Sequence, residues 1–151
     1  MKKVKFANGT EFPLITMFGD QTRTQGAYRD SWTLHFAKDM SLFTVLEALT
    51  ANPDNLKTFT VTDVITTKGT DGKDVITESP HVHTNYVIPA KLSVEKWEVS
   101  PESSEAPAVT EDRIILTLAQ LTYTEVQAAQ QVAALAALGQ QVVALTLGGV
   151  S

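Results

Sequence analysis

Apolar and polar positions alternate along much of the chain up to about Leu121, and there the alternation stops. A period of two is what a half-buried strand requires, because successive side chains point to opposite faces of a sheet. Ser31-Trp32-Thr33-Leu34-His35-Phe36 shows it most clearly: Trp32, Leu34 and Phe36 share one face, Thr33 and His35 the other. Val4-Lys5-Phe6 and Glu11-Phe12-Pro13-Leu14-Ile15 flank Ala7-Asn8-Gly9-Thr10. Asn-Gly supplies the positive φ of a tight primed turn, so these segments predict a hairpin. Pro13 has no N–H to donate and belongs on an edge. Phe18 to Ala27 is polar with two glycines, which predicts a long loop or an irregular strand.

Phe59 to Ile65 reads as a strand, Gly69-Thr70-Asp71-Gly72 as a hairpin tip, and Val75-Ile76-Thr77 as the return. His81 to Ile88 alternates again, and Lys91 to Val99 carries Leu92, Val94 and Trp97. Arg113 to Leu121 is strongly β, with Ile114, Leu116 and Leu118 on one face. Its simplest partner is Lys91 to Val99, with the Pro-, Ser- and Glu-rich stretch Ser100 to Asp112 as a long tip. Ser41 to Ala51 is the one helix expected in this part: Leu42, Val45, Leu46 and Leu49 fall at helical spacing. Asp39 or Ser41 can accept from its first N–H groups, and Asn52-Pro53-Asp54 stops it.

The last 26 residues, Val126 to Ser151, contain no Asp, Glu, Lys or Arg; sixteen are Ala, Val or Leu and five are Gln. Thr122-Tyr123-Thr124-Glu125 just before them is a capping box, which predicts a helix to about Leu147 ended by Gly148-Gly149. That is roughly 37 Å of helix. Gly139 in its middle suggests close packing or a kink. Leu135, Leu138, Val142 and Leu145 are spaced 3, 4, 3, a heptad seam, and Val132, Ala136, Gly139 and Val143 form a row beside it. A helix so poor in charge must be covered. Self-association along this seam is the preferred cover, ahead of docking on the same chain's β domain. A membrane span comes last, because Gln140 and Gln141 lie mid-span and no Lys or Arg flanks it.

The fold class is therefore α+β: a small β-rich domain with one short helix, followed by a long apolar C-terminal α-helix. The domain boundaries fall at 1–121, with its loop at 100–112, and 122–151. With 151 residues, 43% of them hydrophobic and 19% charged, the chain has the composition of a folded domain rather than a disordered one. A net charge of −5 argues against a protein that grips nucleic acid, since phosphate binding needs a basic face. Without cysteine there are no disulfides and no thiolate chemistry. Three lysines open the chain, but no apolar run follows, so no secretory signal is expected.

Candidate chemistry is sparse. His81-Val82-His83 could place two imidazoles on one strand face. A zinc site would need a third ligand such as His35, Glu78 or Asp63, and no spacing brings one in, so no metal is assigned. Asp71, Asp74 and Glu78 surround one hairpin without the spacing of a calcium loop. There is no nucleophile elbow, phosphate loop, dinucleotide motif or zinc-protease motif. Catalytic residues and cofactors are therefore both expected to be none. Trp32, Phe36, Tyr86 and Trp97 occupy strand positions and are expected in the core rather than on a sugar-binding platform. Tyr28 and Arg29, beside Gly26, are the best exposed candidates for a partner contact.

Four segments occur in an order that carries a resemblance: Val4 to Phe12 (VKFANGTEF), Gln25 to Phe36 (QGAYRDSWTLHF), His83 to Ile88 (HTNYVI) and Ile115 to Gln127 (ILTLAQLTYTEVQ). Together they resemble a family of small proteins encoded in phages and prophages of Gram-positive and gut bacteria. The resemblance implies a virion structural component, from the tail, baseplate or fibre region or a head decoration, with no catalytic residues. This chain departs from the family pattern in Ser100 to Asp112 and in its Ala- and Gln-rich tail. On this basis a non-enzymatic virion protein is expected, made in the host cytoplasm. It would form a homo-oligomer, first a trimer, through Val132, Leu135, Leu138, Val142 and Leu145, and contact other virion proteins. The rival is a host-surface glycan-binding module acting in adsorption through Tyr28, Trp32 or Trp97.

Overall fold

The computed structural model describes residues 1–148, with side chains through Leu145. The chain divides into two compact units, Met1–Gln120 and Leu121–Ser151.

The first unit is built from eight strands: β1 (Lys2–Phe6), β2 (Glu11–Leu14), β3 (Thr16–Thr24), β4 (Ala27–Ala37), β5 (Thr58–Lys68), β6 (Asp74–Thr84), β7 (Ile88–Ser100) and β8 (Val109–Ala119). They form two antiparallel four-stranded sheets, ordered β2-β1-β5-β6 and β3-β4-β8-β7. The core lies between the sheets. Val4, Phe6, Phe59 and Val61 of the first share one apolar cluster with Leu34, Phe36, Leu116 and Leu118 of the second. Phe12 and Phe36, one from each sheet, meet edge to face at 6.3 Å. Trp32, Leu34 and Phe36 do point to one face, as their alternation requires, while Thr33 and His35 point to the other.

Helix α1 (Met40–Thr50) and a 3-10 turn (Pro53–Leu56) complete this core with Leu46, Leu49 and Leu56. The Asp39 carboxylate caps α1, accepting from the N–H of Ser41 at 2.9 Å and of Leu42 at 3.4 Å. Leu42 packs on the core from the same face, whereas Val45 stands exposed.

Several local expectations differ from the structure. The β1–β2 turn is not a primed turn: only Gly9 has positive φ, and the Phe6 carbonyl accepts from the Gly9 N–H at 2.9 Å. This is an ordinary turn followed by a left-handed glycine, with the Asn8 Oδ1 accepting from the Thr10 N–H. Phe18 to Ala27 is no loop, because β3 runs through Thr24 and pairs with β4 in unbroken register. Its two-residue turn is Gln25-Gly26, both at positive φ, the geometry of a primed hairpin. Val75–Thr77 and His81–Thr84 belong to one strand, β6, with Pro80 inside it. Pro80 is tolerated there because β6 is an edge. Asn85, at φ 68, separates β6 from β7. The long tip is shorter than expected, since Val109–Asp112 already pair with β7. The pairing of that strand with β7 is the expected one.

The second unit is helix α2 (Tyr123–Gly148, 26 residues), about 39 Å long. Its capping box is formed as expected. The Thr122 N–H donates to Glu125 Oε1 at 3.0 Å, and the Glu125 N–H to Thr122 Oγ1 at 3.3 Å. Gly148 is still helical, and Gly149, the second residue of the expected stop, lies outside the described residues. A Cβ placed on Gly139 would meet nothing within 4 Å, so that glycine is not close-packed within the described chain.

Candidate functional site

Helix α2 carries the seam of the sequence pattern as an uncovered surface. Leu135 is 68% exposed and Leu145 76%, and Val132, Leu138 and Val142 are also exposed. Tyr123–Leu145 is also long and apolar enough to cross a membrane. Leaving several large aliphatic side chains in water forfeits about 1.5–3 kcal/mol for each one fully buried elsewhere. The protein is thus a small β-rich domain with an exposed apolar C-terminal helix, an arrangement consistent with oligomerisation through that helix.

The expected contact pair Tyr28 and Arg29 separates. Tyr28 is exposed, with the Arg23 guanidinium 5.5 Å from its ring centroid. Arg29 is only 4% exposed and cannot serve as a surface contact. Its outward strand position lies over the hairpin end, where the long side chain reaches three carbonyls. Nε donates to Thr24 O at 3.0 Å, Nη1 to Gln120 O at 3.2 Å and Nη2 to Gln25 O at 3.3 Å. The residue fastens the β3–β4 turn to the end of β8.

The outer face of the second sheet holds a cleft of about 460 Å³. Phe18 of β3, His35 of β4 and Trp97 of β7 meet there. The Phe18 and Trp97 rings are stacked at 6.0 Å and 27°, and His35 stands edge-on to Trp97 at 4.5 Å. The Arg113 guanidinium lies 5.9 Å from the Trp97 ring centroid and donates to Glu111 at 2.7 Å. Asp20, Lys91 and Glu95 add polar walls. The expectation that Trp97 belongs to the core is corrected: it is 37% exposed and on the side away from the core. Phe36 is buried in the core, and Trp32 and Tyr86 pack against it.

His35 is 1% exposed although it faces outward, because Phe18 and Trp97 cover it. Burial, reinforced by the positive charge of Arg113 and opposed by Glu95, pulls its pKa below the ordinary histidine value, so the ring is neutral at pH 7. Arg113 Nη1 lies 3.4 Å from Nδ1 and is the donor there, which leaves the ring proton on Nε2. Lys91 holds Glu95 at 2.8 Å, a hydrogen bond that lowers the Glu95 pKa.

His81 and His83 line a second, smaller cleft of about 260 Å³ with Trp32 and Asp63. His83 stacks on Phe59 at 5.0 Å, and burial, followed by the charge of His81, lowers its pKa. Of the candidate third ligands, Asp63 shares this cleft but is paired with Lys2 there, Glu78 pairs with Lys3 at 3.2 Å, and His35 faces away on the other sheet. Among the described residues no group of three His, Cys, Asp or Glu side chains is placed to hold a metal.

Phe18 and the outward side of Trp97 went unnoticed in the sequence, whereas the alternation of β4 had already set His35 opposite Leu34 and Phe36, and the same signal existed for Trp97. Leu92 and Val94 lie two apart, and Trp97 falls at the opposite parity, as His35 does between Leu34 and Phe36. No family model matches the chain, and neither a curated protein nor a solved structure matches it.

Proposed function

We propose that this chain is a non-enzymatic structural subunit of a bacteriophage virion that assembles through α2 and displays its β domain. The observation that carries the assembly is the uncovered apolar length of α2, with Leu135, Leu138, Val142 and Leu145 in heptad spacing. Val132 flanks that seam, and a trimer is the first expectation for its order. The virion assignment rests on the resemblance of the four segments named above, and with it go synthesis in the host cytoplasm and contacts with other virion proteins. The helix bears no charge beyond Glu125, so a shared interior with its own copies suits it better than water.

Light scattering on the intact chain tests the assembly. The expected mass is about three times the 16.4 kDa of one chain, collapsing to that of one chain when Leu138→Glu and Val142→Glu are combined. A monomeric intact chain overturns the reading. Mass spectrometry of purified phage particles tests the location: the chain should copurify with the particle at fixed stoichiometry.

A membrane span is the second reading, favoured by the length and composition of Tyr123–Leu145. Gln127, Gln130, Gln131, Gln140 and Gln141 weigh against it, because each would carry an amide into hydrocarbon. Recovery of the intact chain in washed membranes, resistant to alkaline extraction, would replace assembly by insertion.

A further inference from the structure

We propose that the cleft on the outer face of the second sheet binds a neutral saccharide, with Phe18 and Trp97 carrying its C–H face and Asp20 and Glu95 accepting from its hydroxyls. This goes beyond assembly through α2, since every residue involved lies in the first unit. Of the three aromatics offered for a glycan-binding module it keeps Trp97 and leaves out Tyr28 and Trp32, which lie outside this cleft.

Size comes first. A cleft of about 460 Å³ falls within the roughly 300–1,000 Å³ of small-ligand sites. Shape comes next. The Phe18 and Trp97 rings are stacked with 27° between their planes, and the pair makes an aromatic shelf in the lining of the cleft. Both remain partly exposed, so apolar ring surface is left for a ligand to cover. The shelf is also held in place. His35 braces Trp97 edge-on at 4.5 Å, and Arg113, bonded to Glu111, lies at the same indole. A ligand therefore meets rings whose ordering cost was met on folding.

Charge then selects the chemical class. The cations around the cleft are matched by carboxylates: Lys91 by Glu95 at 2.8 Å, Lys96 by Asp112 at 3.6 Å, and Arg113 by Glu111 at 2.7 Å. A phosphate or sulfate would have to displace those partners and would also face Asp20. A purely apolar ligand would desolvate Asp20 and Glu95 without giving them donors, which is costly. A neutral ligand with one apolar face and several hydroxyls meets both demands. Thr33 and Thr117, whose hydroxyls are hydrogen-bonded to each other at 3.1 Å on the cleft floor, leave one O–H free to donate and lone pairs to accept. Saccharides have this two-faced chemistry, and aromatic faces are suited to their C–H surface.

The test is an NMR titration of the full-length chain with maltose, cellobiose and N,N′-diacetylchitobiose. At least one should give saturable shifts in the amides of Gly19, Thr33, Thr117 and Trp97. Trp97→Ala and Asp20→Asn should each weaken that binding, by about tenfold for loss of an aromatic anchor or of a hydrogen bond to a charged group. Asp20 is exposed, so its variant keeps the domain folded and separates loss of contact from loss of structure. Tyr28→Ala should leave the titration unchanged. The proposal is overturned if none of the three disaccharides gives saturable shifts, if the shifts map to another surface, or if both cleft variants bind as the intact chain does.

Discussion

Arg29→Met removes a guanidinium that joins three carbonyls at the end of the domain while retaining most of the aliphatic stem. The bonds to Thr24, Gln120 and Gln25 measure 3.0, 3.2 and 3.3 Å. A hydrogen bond from a charged donor contributes about 1.5–3 kcal/mol when its loss leaves the acceptor unpaired. Two of these bonds are long, and three made by one side chain are not additive. Burying the guanidinium also has its own desolvation cost, which the methionine avoids. The expected net loss is about 3 kcal/mol. For a domain of this size that corresponds to a fall of roughly 10 °C in Tm. Urea denaturation is best measured in the Leu138→Glu, Val142→Glu background, so that assembly does not add to the apparent stability. Hydrogen exchange supplies a local readout, because the Gln120 N–H donates to Asp30 O at 2.8 Å beside the lost contact. That amide should lose protection more than those of β1. Arg29→Lys, with one compact ammonium, should recover about half of the loss. A change below about 1 kcal/mol, with Gln120 still protected, would refute the claim that Arg29 holds the turn to β8.

Two other outcomes follow from the same domain. His35 and His83 both have pKa values lowered from 6.5, chiefly by burial, so the unfolded chain takes up protons more readily than the folded one. Their contribution to stability is complete above pH 6.5 and falls as the pH drops below it toward their folded pKa values. Denaturant midpoints measured across that range should decline before the carboxylates titrate, and His35→Phe should flatten part of the slope. An intact chain with constant stability from pH 7 down to the carboxylate range would contradict this. Gly26→Ala places a Cβ where nothing lies within 4 Å, but at φ +78, so its cost is purely conformational. We expect a loss of about 1–2 kcal/mol in the same denaturation assay, and no loss would mean that the turn relaxes.

Helix α2 was legible because composition alone marks it: a charge-free run after a capping box admits few other structures. The hairpin of β1 and β2, the strand β4, α1 and the pairing of β7 with β8 were legible for a related reason, since each is a local pattern closed by a turn or cap. Strand β3 was not. Its residues Phe18-Gly19-Asp20-Gln21-Thr22 show no apolar alternation, because an edge strand with an open outer face needs none. What makes it a strand is its register with β4, which is a property of two segments together. Arg29 was misplaced because an arginine beside a glycine turn is usually solvated, and only the fold brings Gln120 to it. The cleft depends on strand order. Phe18 meets Trp97 because β3 and β7 flank β4 and β8, an order that no local pattern encodes.

An assembly helix and a shallow ligand cleft in one chain have consequences for each other. The cleft is open to one side, so a single domain binding one saccharide must rely on a small contact area. An oligomer through α2 carries as many clefts as it has chains. On a surface densely covered with the same saccharide, the second and third contacts are intramolecular, and avidity can exceed the single-site affinity by about 10²–10⁴-fold without any new contact. The two terms separate cleanly. Leu138→Glu combined with Val142→Glu should leave the NMR dissociation constant for the free disaccharide unchanged, because the cleft lies wholly in the first unit. The same variant should lose most of its retention on beads coated with that disaccharide. Equal retention by the intact chain and the variant would mean that the clefts do not act together, and that whatever α2 assembles, it does not multiply this site.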